Sequence, residues 1–141
     1  MILWYANLGI KIYSYVQHVM KNKKGWTKLN CTPEIGVTAL NYFGEPTSFP
    51  TLYVHELPSV EKGETLEGGT VAAVLSMIEI QAFSKNRDEC MQLASDASEC
   101  MKNLKYSATM IPLTEKMDGG YYKSVARYRR LVGSGDTDIV S

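Results

Sequence analysis

The sequence predicts an α+β fold: an antiparallel, roughly four-stranded sheet with two helices packed on one face. Three observations lead there. Residues 70–84, TVAAVLSMIEIQAFS, are too rich in β-branched and aliphatic side chains for a loop. The apolar period then switches, because Cys90, Leu93, Ala94, Ala97, Cys100, Met101 and Leu104 all fall on one side of an α-helix. Finally, Asp118-Gly119-Gly120 supplies the positive-φ positions of a hairpin between two further strand-like runs.

In chain order, Leu8, Ile12, Tyr15 and Val19 recur at helical spacing and predict a first helix over about residues 5–24. Gly9 weakens that helix by about 1 kcal/mol relative to Ala. Lys21, Lys23 and Lys24 suit its negative end, and Gly25 is a natural terminator. Residues 26–48 are irregular and broken by Pro33, Gly36, Gly44 and Pro46. Alternation around Val37, Ala39, Asn41 and Phe43 permits a short edge strand there. Trp26, Tyr42 and Phe43 suit either an intersubunit contact or packing on their own domain.

Residues 49–57, FPTLYVHEL, read as a strand with proline at a tolerated early position. PSVEKGETLEGG, which follows, is acidic and without period, so a long hairpin loop is expected to join this strand to the next. In the 70–84 strand, Ala72, Val74, Ser76, Ile78, Ile80 and Ala82 share one parity. Val71, Leu75, Met77 and Phe83 share the other until Glu79 and Gln81 interrupt it. The pattern predicts cover on both faces for most of the length and one wet face near the end. Asn86 with Glu89 forms a capping box for the second helix. Residues 106–113 and 121–132 are the last two strands, and the tail, residues 133–141, reads as a flexible end.

The chain has 141 residues, the length of a single domain with a respectable core, and a net charge of zero. That excludes a wholly basic nucleic-acid binder and a disordered chain. Charge is patchy: residues 1–48 carry five Lys against two Glu, and residues 49–70 carry one Lys against four Glu. Alternating patches suit a protein that meets copies of itself or other proteins. Cys31, Cys90 and Cys100 lack metal-ligand spacing and suggest a reducing, cytoplasmic setting, with Cys31 alone in a polar stretch. The opening MILWYANLGIKIYSYVQHVM has neither the flanks of a signal peptide nor the apolar length of a membrane span.

Nothing in the sequence forms a catalytic constellation. His18 and His55 have no link to a nucleophile or a metal-ligand pattern, and the glycines between 63 and 69 precede a strand rather than the helix a phosphate loop needs. No enzyme activity, cofactor or metal is therefore expected. The last strand is basic: Lys123, Arg127, Arg129 and Arg130 fall within eight residues, with Tyr121, Tyr122 and Tyr128 interleaved. Such a face could bind single-stranded nucleic acid by stacking and phosphate contact, although the aromatic signature of RNA-binding sheets is absent. Alternatively, Arg127 and Arg129 pair with acids such as Glu56 or Glu79, or with a neighbouring subunit.

The stretch FPTLYVHELPSVEKGETLEGGTVAAVLSMIEIQAFS, the amphipathic helix after it, and YYKSVARYRRLVGSGD together resemble the tail terminator (tail completion) proteins of long-tailed bacteriophages and phage-like tail particles. The matching elements are the FPT-x-Y-V strand, the acidic segment before a long strand, the helix ending at Met101, and the closing ARYRRLVGSGD. The resemblance covers roughly residues 49–136. It implies a homo-oligomeric ring, usually of six subunits, built into a virion tail or neck after assembly in the host cytoplasm. The ring binds the last ring of tail tube protein, ends tube growth and offers its other surface to a head-side connector or stopper. A sheath protein is a further partner, and DNA passes through the central hole. Position and charge make Glu61, Lys62, Glu64 and Glu67 candidates for contact with the tube or a neighbouring subunit. Arg127, Arg129 and Arg130 are candidates for intersubunit ion pairs or the channel wall. A head–tail joining protein of the same particle and a small nucleic-acid-binding module are the alternatives.

Overall fold

Residues 71–84 form the middle strand of the sheet, which explains why the run carries no proline and almost no charge. The computed structural model describes residues 4–33, 48–64, 71–133 and 135–136. In chain order the elements are α1 (Leu8–Asn22), β1 (Asn30–Thr32), β2 (Thr51–Glu64), β3 (Val71–Ser84), α2 (Arg87–Asn103), β4 (Ser107–Met117) and β5 (Tyr121–Gly133). The fold is α+β, with the strands in the order β1-β2-β3-β5-β4.

The sheet differs from expectation in two ways. It has five strands, and it is mixed, because β1 runs parallel to β2 in the register Asn30↔Thr51 to Thr32↔Tyr53. Three residues are too short to show a period, so β1 is held by its surroundings. The Asn30 N–H donates to the Pro50 carbonyl at 3.0 Å, and the Asn30 amide reaches Ser48 Oγ at 3.3 Å. The alternating run from 37 to 43 lies outside the described residues.

The hairpin is also longer and its loop shorter than expected. β2 pairs with β3 out to Glu64↔Val71, so most of the expected loop is ladder. Between Leu57 and Val60 the register shifts, and β2 spends one extra residue at Pro58-Ser59. Proline has no N–H for a ladder, and a bulge is where a strand tolerates it. Acidic composition and a missing period made this segment look like a loop, whereas its pairing to the apolar β3 makes it a strand.

Both helices lie on the same face. The even-numbered residues Val74, Ile78, Ile80 and Ala82 of β3 are buried there with Leu52 and Val54 of β2 and Ala126, Tyr128 and Val132 of β5. From above, α1 contributes Leu8, Ile12, Val16, Val19 and Met20, and every expected position of α2 from Cys90 to Leu104 is buried. Each large aliphatic side chain so buried contributes roughly 1.5–3 kcal/mol. Among the described residues the other face of β3 has no such cover. Leu75, Met77 and Gln81 are half-buried there, Glu79 is buried, and only a small cluster of Tyr53, Phe83 and Tyr121 closes one end.

Helix ends follow local chemistry. Asn86 caps α2 by accepting the Glu89 N–H at 3.0 Å. Gly25, at φ 82°, ends α1, and the Trp26 N–H reaches back to Met20 O at 2.9 Å. The start of α1 has no cap of its own: Asn7 makes no capping bond, and the first turn carries no acid. Glu56 of β2 supplies the acceptor, taking a hydrogen bond from the Gly9 N–H. A Cβ at position 9 would meet Glu56 Cδ at 2.7 Å, so glycine permits the approach. At the far end Trp26 Nε1 donates to Asp96 at 2.9 Å and Lys24 pairs with Glu99 at 2.8 Å, tying α1 to α2. Trp26 thus packs on its own core.

Loss of solvent around Glu56 raises its carboxyl pKa, and the Gly9 N–H only partly opposes this. A folded-state pKa above the unfolded value gives stability that is present at low pH and lost as pH rises through the folded pKa. Glu56→Gln keeps an acceptor for Gly9 and removes this dependence. Denaturant unfolding of both proteins across the acid range should show the parent losing ground to the variant as pH rises; a parent that gains ground instead would contradict the assignment.

Candidate functional site

The surface left uncovered by the helices is the odd-numbered face of the sheet, together with the β4 edge. Its centre is a cross-strand row of His55, Glu79 and Arg127. Glu79 is 8% exposed. Arg127 Nε donates to its Oε2 at 2.8 Å, and Gln81 Nε2 donates to its Oε1 at 2.6 Å. His55 stacks on Tyr53 with ring centroids 5.2 Å apart. The Arg127–Glu79 pairing expected from sequence is formed, whereas Glu56 belongs to the helix-covered side. Arg129 lies one row further along, opposite Met77, and is exposed with no ion-pair partner among the described residues.

The three arginines therefore separate. Arg127 and Arg129 stand on the open face, but Arg130 points to the other side and is held within its own subunit. Its side chain is 9% exposed, its guanidinium donates to Leu104 O at 2.8 Å, and it pairs with Asp136 at 3.4 Å. Asp136 also accepts the Gly133 N–H at 2.6 Å, so the start of the tail is folded back onto β5. Of the candidates in the acidic segment, Glu61, Lys62 and Glu64 lie on β2 opposite Val74, Ala73 and Val71. Glu67 lies outside the described residues.

The tyrosines do not accompany the open arginines. Tyr128 is on the helix face at 2% exposure, and Tyr121 is buried at 6% beside Phe83. A stacking platform needs exposed rings between the cations, and neither ring is available for it. His18 is exposed and bonded to Asn22 at 3.1 Å, far in sequence and face from the His55 row. Among the described residues no three His, Cys, Asp or Glu side chains gather as a metal site. The thiols are buried and inert: desolvation pushes Cys31 up to about 12 and Cys90 and Cys100 up to about 11. Cys31 belongs to the core and not to a polar surface. Among the described residues no helix is long and apolar enough to cross a membrane.

Sequence reasoning missed the β4 edge. Met110, Ile111 and Leu113 are all exposed, Ile111 at 75%. Among the described residues β4 pairs only with β5, and its register shifts twice, between Ala108 and Met110 and between Met110 and Leu113. Bulges re-aim side chains, and Pro112 falls inside the second one. Between β4 and α2 lies an open recess of about 550 Å³, with Met91, Ala94 and Leu113 on its walls. The available signal was the run MIPL, which breaks strand alternation by placing apolar groups on successive residues.

Removing Arg127 leaves a mostly buried carboxylate with Gln81 alone. Because Arg127 is itself half exposed, Arg127→Ala should cost about 1–2 kcal/mol, below the cost for a fully buried pair. Arg129→Ala should stay within about 0.5 kcal/mol of the parent. Equal losses in denaturant unfolding would show that the Glu79 pair is not what distinguishes them.

No protein-family model matches the chain, and no curated protein matches it either.

Proposed function

We propose that the protein is a tail terminator: a ring of identical subunits, six in number, that caps the tail tube, ends its polymerisation and carries the surface to which a head-side connector attaches. DNA passes through the hole of the ring. The reading is supported above all by where the resembling stretches fall. FPT-x-Y-V lies at the start of β2, and ARYRRLVGSGD runs from β5 into the folded-back tail at Asp136. These strands flank β3 on either side, so the resemblance concerns one packed unit and not scattered fragments. The function requires shape and charge on two opposed surfaces and no chemical step. An open sheet face carrying Arg127 and Arg129 and a protruding apolar edge offer such surfaces.

A head–tail joining protein of the same particle would use similar surfaces on the portal side. The nucleic-acid-binding alternative loses support from the burial of Tyr121 and Tyr128.

Sedimentation of the pure protein should show mass rising with concentration, and the protein should travel with assembled tubes when tube protein is added. A strict monomer indifferent to tubes would overturn the proposal, and travel with the portal alone would favour the joining protein.

A further inference from the structure

We infer that Arg127 and Arg129 form a carboxylate clamp on the open sheet face, and that the clamp holds an acidic side chain of another protein. The inference rests on the reading above in one respect: it takes that protein to be a partner of the ring and not a further copy of this chain. Both arginines lie on the same face of β5, in successive rows, which sets them about 7 Å apart along the strand. Arg127 reaches Glu79 through Nε at 2.8 Å, and its side chain is 51% exposed. Among the described residues its terminal amino groups have no acceptor, so their N–H groups remain for one outside the subunit. Glu79 fixes where those groups stand. It is buried, and Gln81 Nε2 donates to its other oxygen at 2.6 Å, so the carboxylate that anchors Arg127 is itself held. Arg129 has no such tie: it is exposed, with no ion-pair partner among the described residues. A guanidinium already fixed in place, beside one able to adjust, can take a carboxylate in bidentate geometry at low cost in conformational entropy.

The surroundings of the pair choose among anions. Met77 lies opposite Arg129 and Met110 opposite Arg127, with Leu75 and Leu131 one row beyond Arg129. Met110 and Leu131 are 41% and 58% exposed, and Leu75 and Met77 are half-buried. Arginine and methionine among apolar groups is the composition of a contact between proteins. Charge points the same way. The described strand residues of this face carry Lys123, Arg127 and Arg129 against Glu79 and Glu115, a surplus of one positive charge with His55 neutral. Nucleic acid draws its affinity from many neutralised phosphates, and a surplus of one is too few. A single carboxylate flanked by apolar side chains matches both the surplus and the flanks.

The probe is a short dye-labelled peptide with glutamates set between leucines, compared with its glutamine counterpart and with an oligothymidylate of equal charge. The protein should bind the glutamate peptide, and Arg129→Gln should weaken that binding about tenfold. Arg127→Lys keeps the charge but loses the Nε anchor, so it too should bind more weakly while its circular dichroism stays that of the parent. No binding of the glutamate peptide, binding that both variants leave unchanged, equal binding of the glutamine peptide, or tighter binding of the oligothymidylate would each overturn the inference. A second arm examines the partner. Arg129→Glu should self-associate as the parent does and no longer travel with tubes or portal, whichever the parent follows. A variant that still travels with them, or one that loses self-association because the pair lies between copies, would overturn the inference and leave the ring reading standing. A parent that follows neither removes the ring reading, and the peptide arm still decides whether the clamp exists.

Discussion

Burial of one face of β3 under two helices is the constraint on which the rest of this structure depends. Val74, Ile78, Ile80 and Ala82 need apolar cover, and α1 and α2 together are just wide enough to give it to β2, β3 and β5. Nothing among the described residues remains to cover the second face, which closes at one end only around Tyr53, Phe83 and Tyr121. A carboxylate on that face can then be kept only if it is paired, and Glu79 is, by Arg127 and Gln81. Among the described residues, the open face and the ragged β4 edge are thus consequences of a fold of two layers.

That arrangement suits a protein acting through surfaces. Its polar groups in the interior serve the fold: Tyr106 donates to Ser76 at 2.7 Å, and Arg130 holds both the end of α2 and the returning tail. The groups left outside include the apolar projections of β4 and the exposed Arg127 and Arg129 of the open face. The bulged, proline-bearing β4 discourages indiscriminate strand pairing along its free edge.

Much of the helix-covered layer was legible in the sequence, because its residues obey simple periods. The α2 stripe from Cys90 to Leu104, the Asn86 cap and the alternation along β5 all appear as expected. The misreadings share a cause, since in each the deciding partner lies outside the segment itself. β1 is a strand only because β2 accepts it in parallel, and Cys31 is buried only because of that pairing. The acidic end of β2 is a strand because β3 is its neighbour. In β3, Leu75 and Met77 looked like core, yet they are only half-buried, and no second layer among the described residues covers them. At the candidate surface, Glu79 was one of several partners that the sequence offered Arg127, but the divergence of Arg130 was not legible, because its partners are the Leu104 carbonyl and Asp136 of the tail. The MIPL edge was visible as letters and became meaningful only once β4 proved to be the last strand of the sheet.

The central claim is that this polypeptide works as one member of a closed ring. Electron-microscope images of the purified protein, at the concentration where it self-associates, test this most directly. The account predicts particles with rotational symmetry about a central hole, each subunit touching two identical neighbours. Isolated subunits, two-fold pairs or open filaments would contradict it.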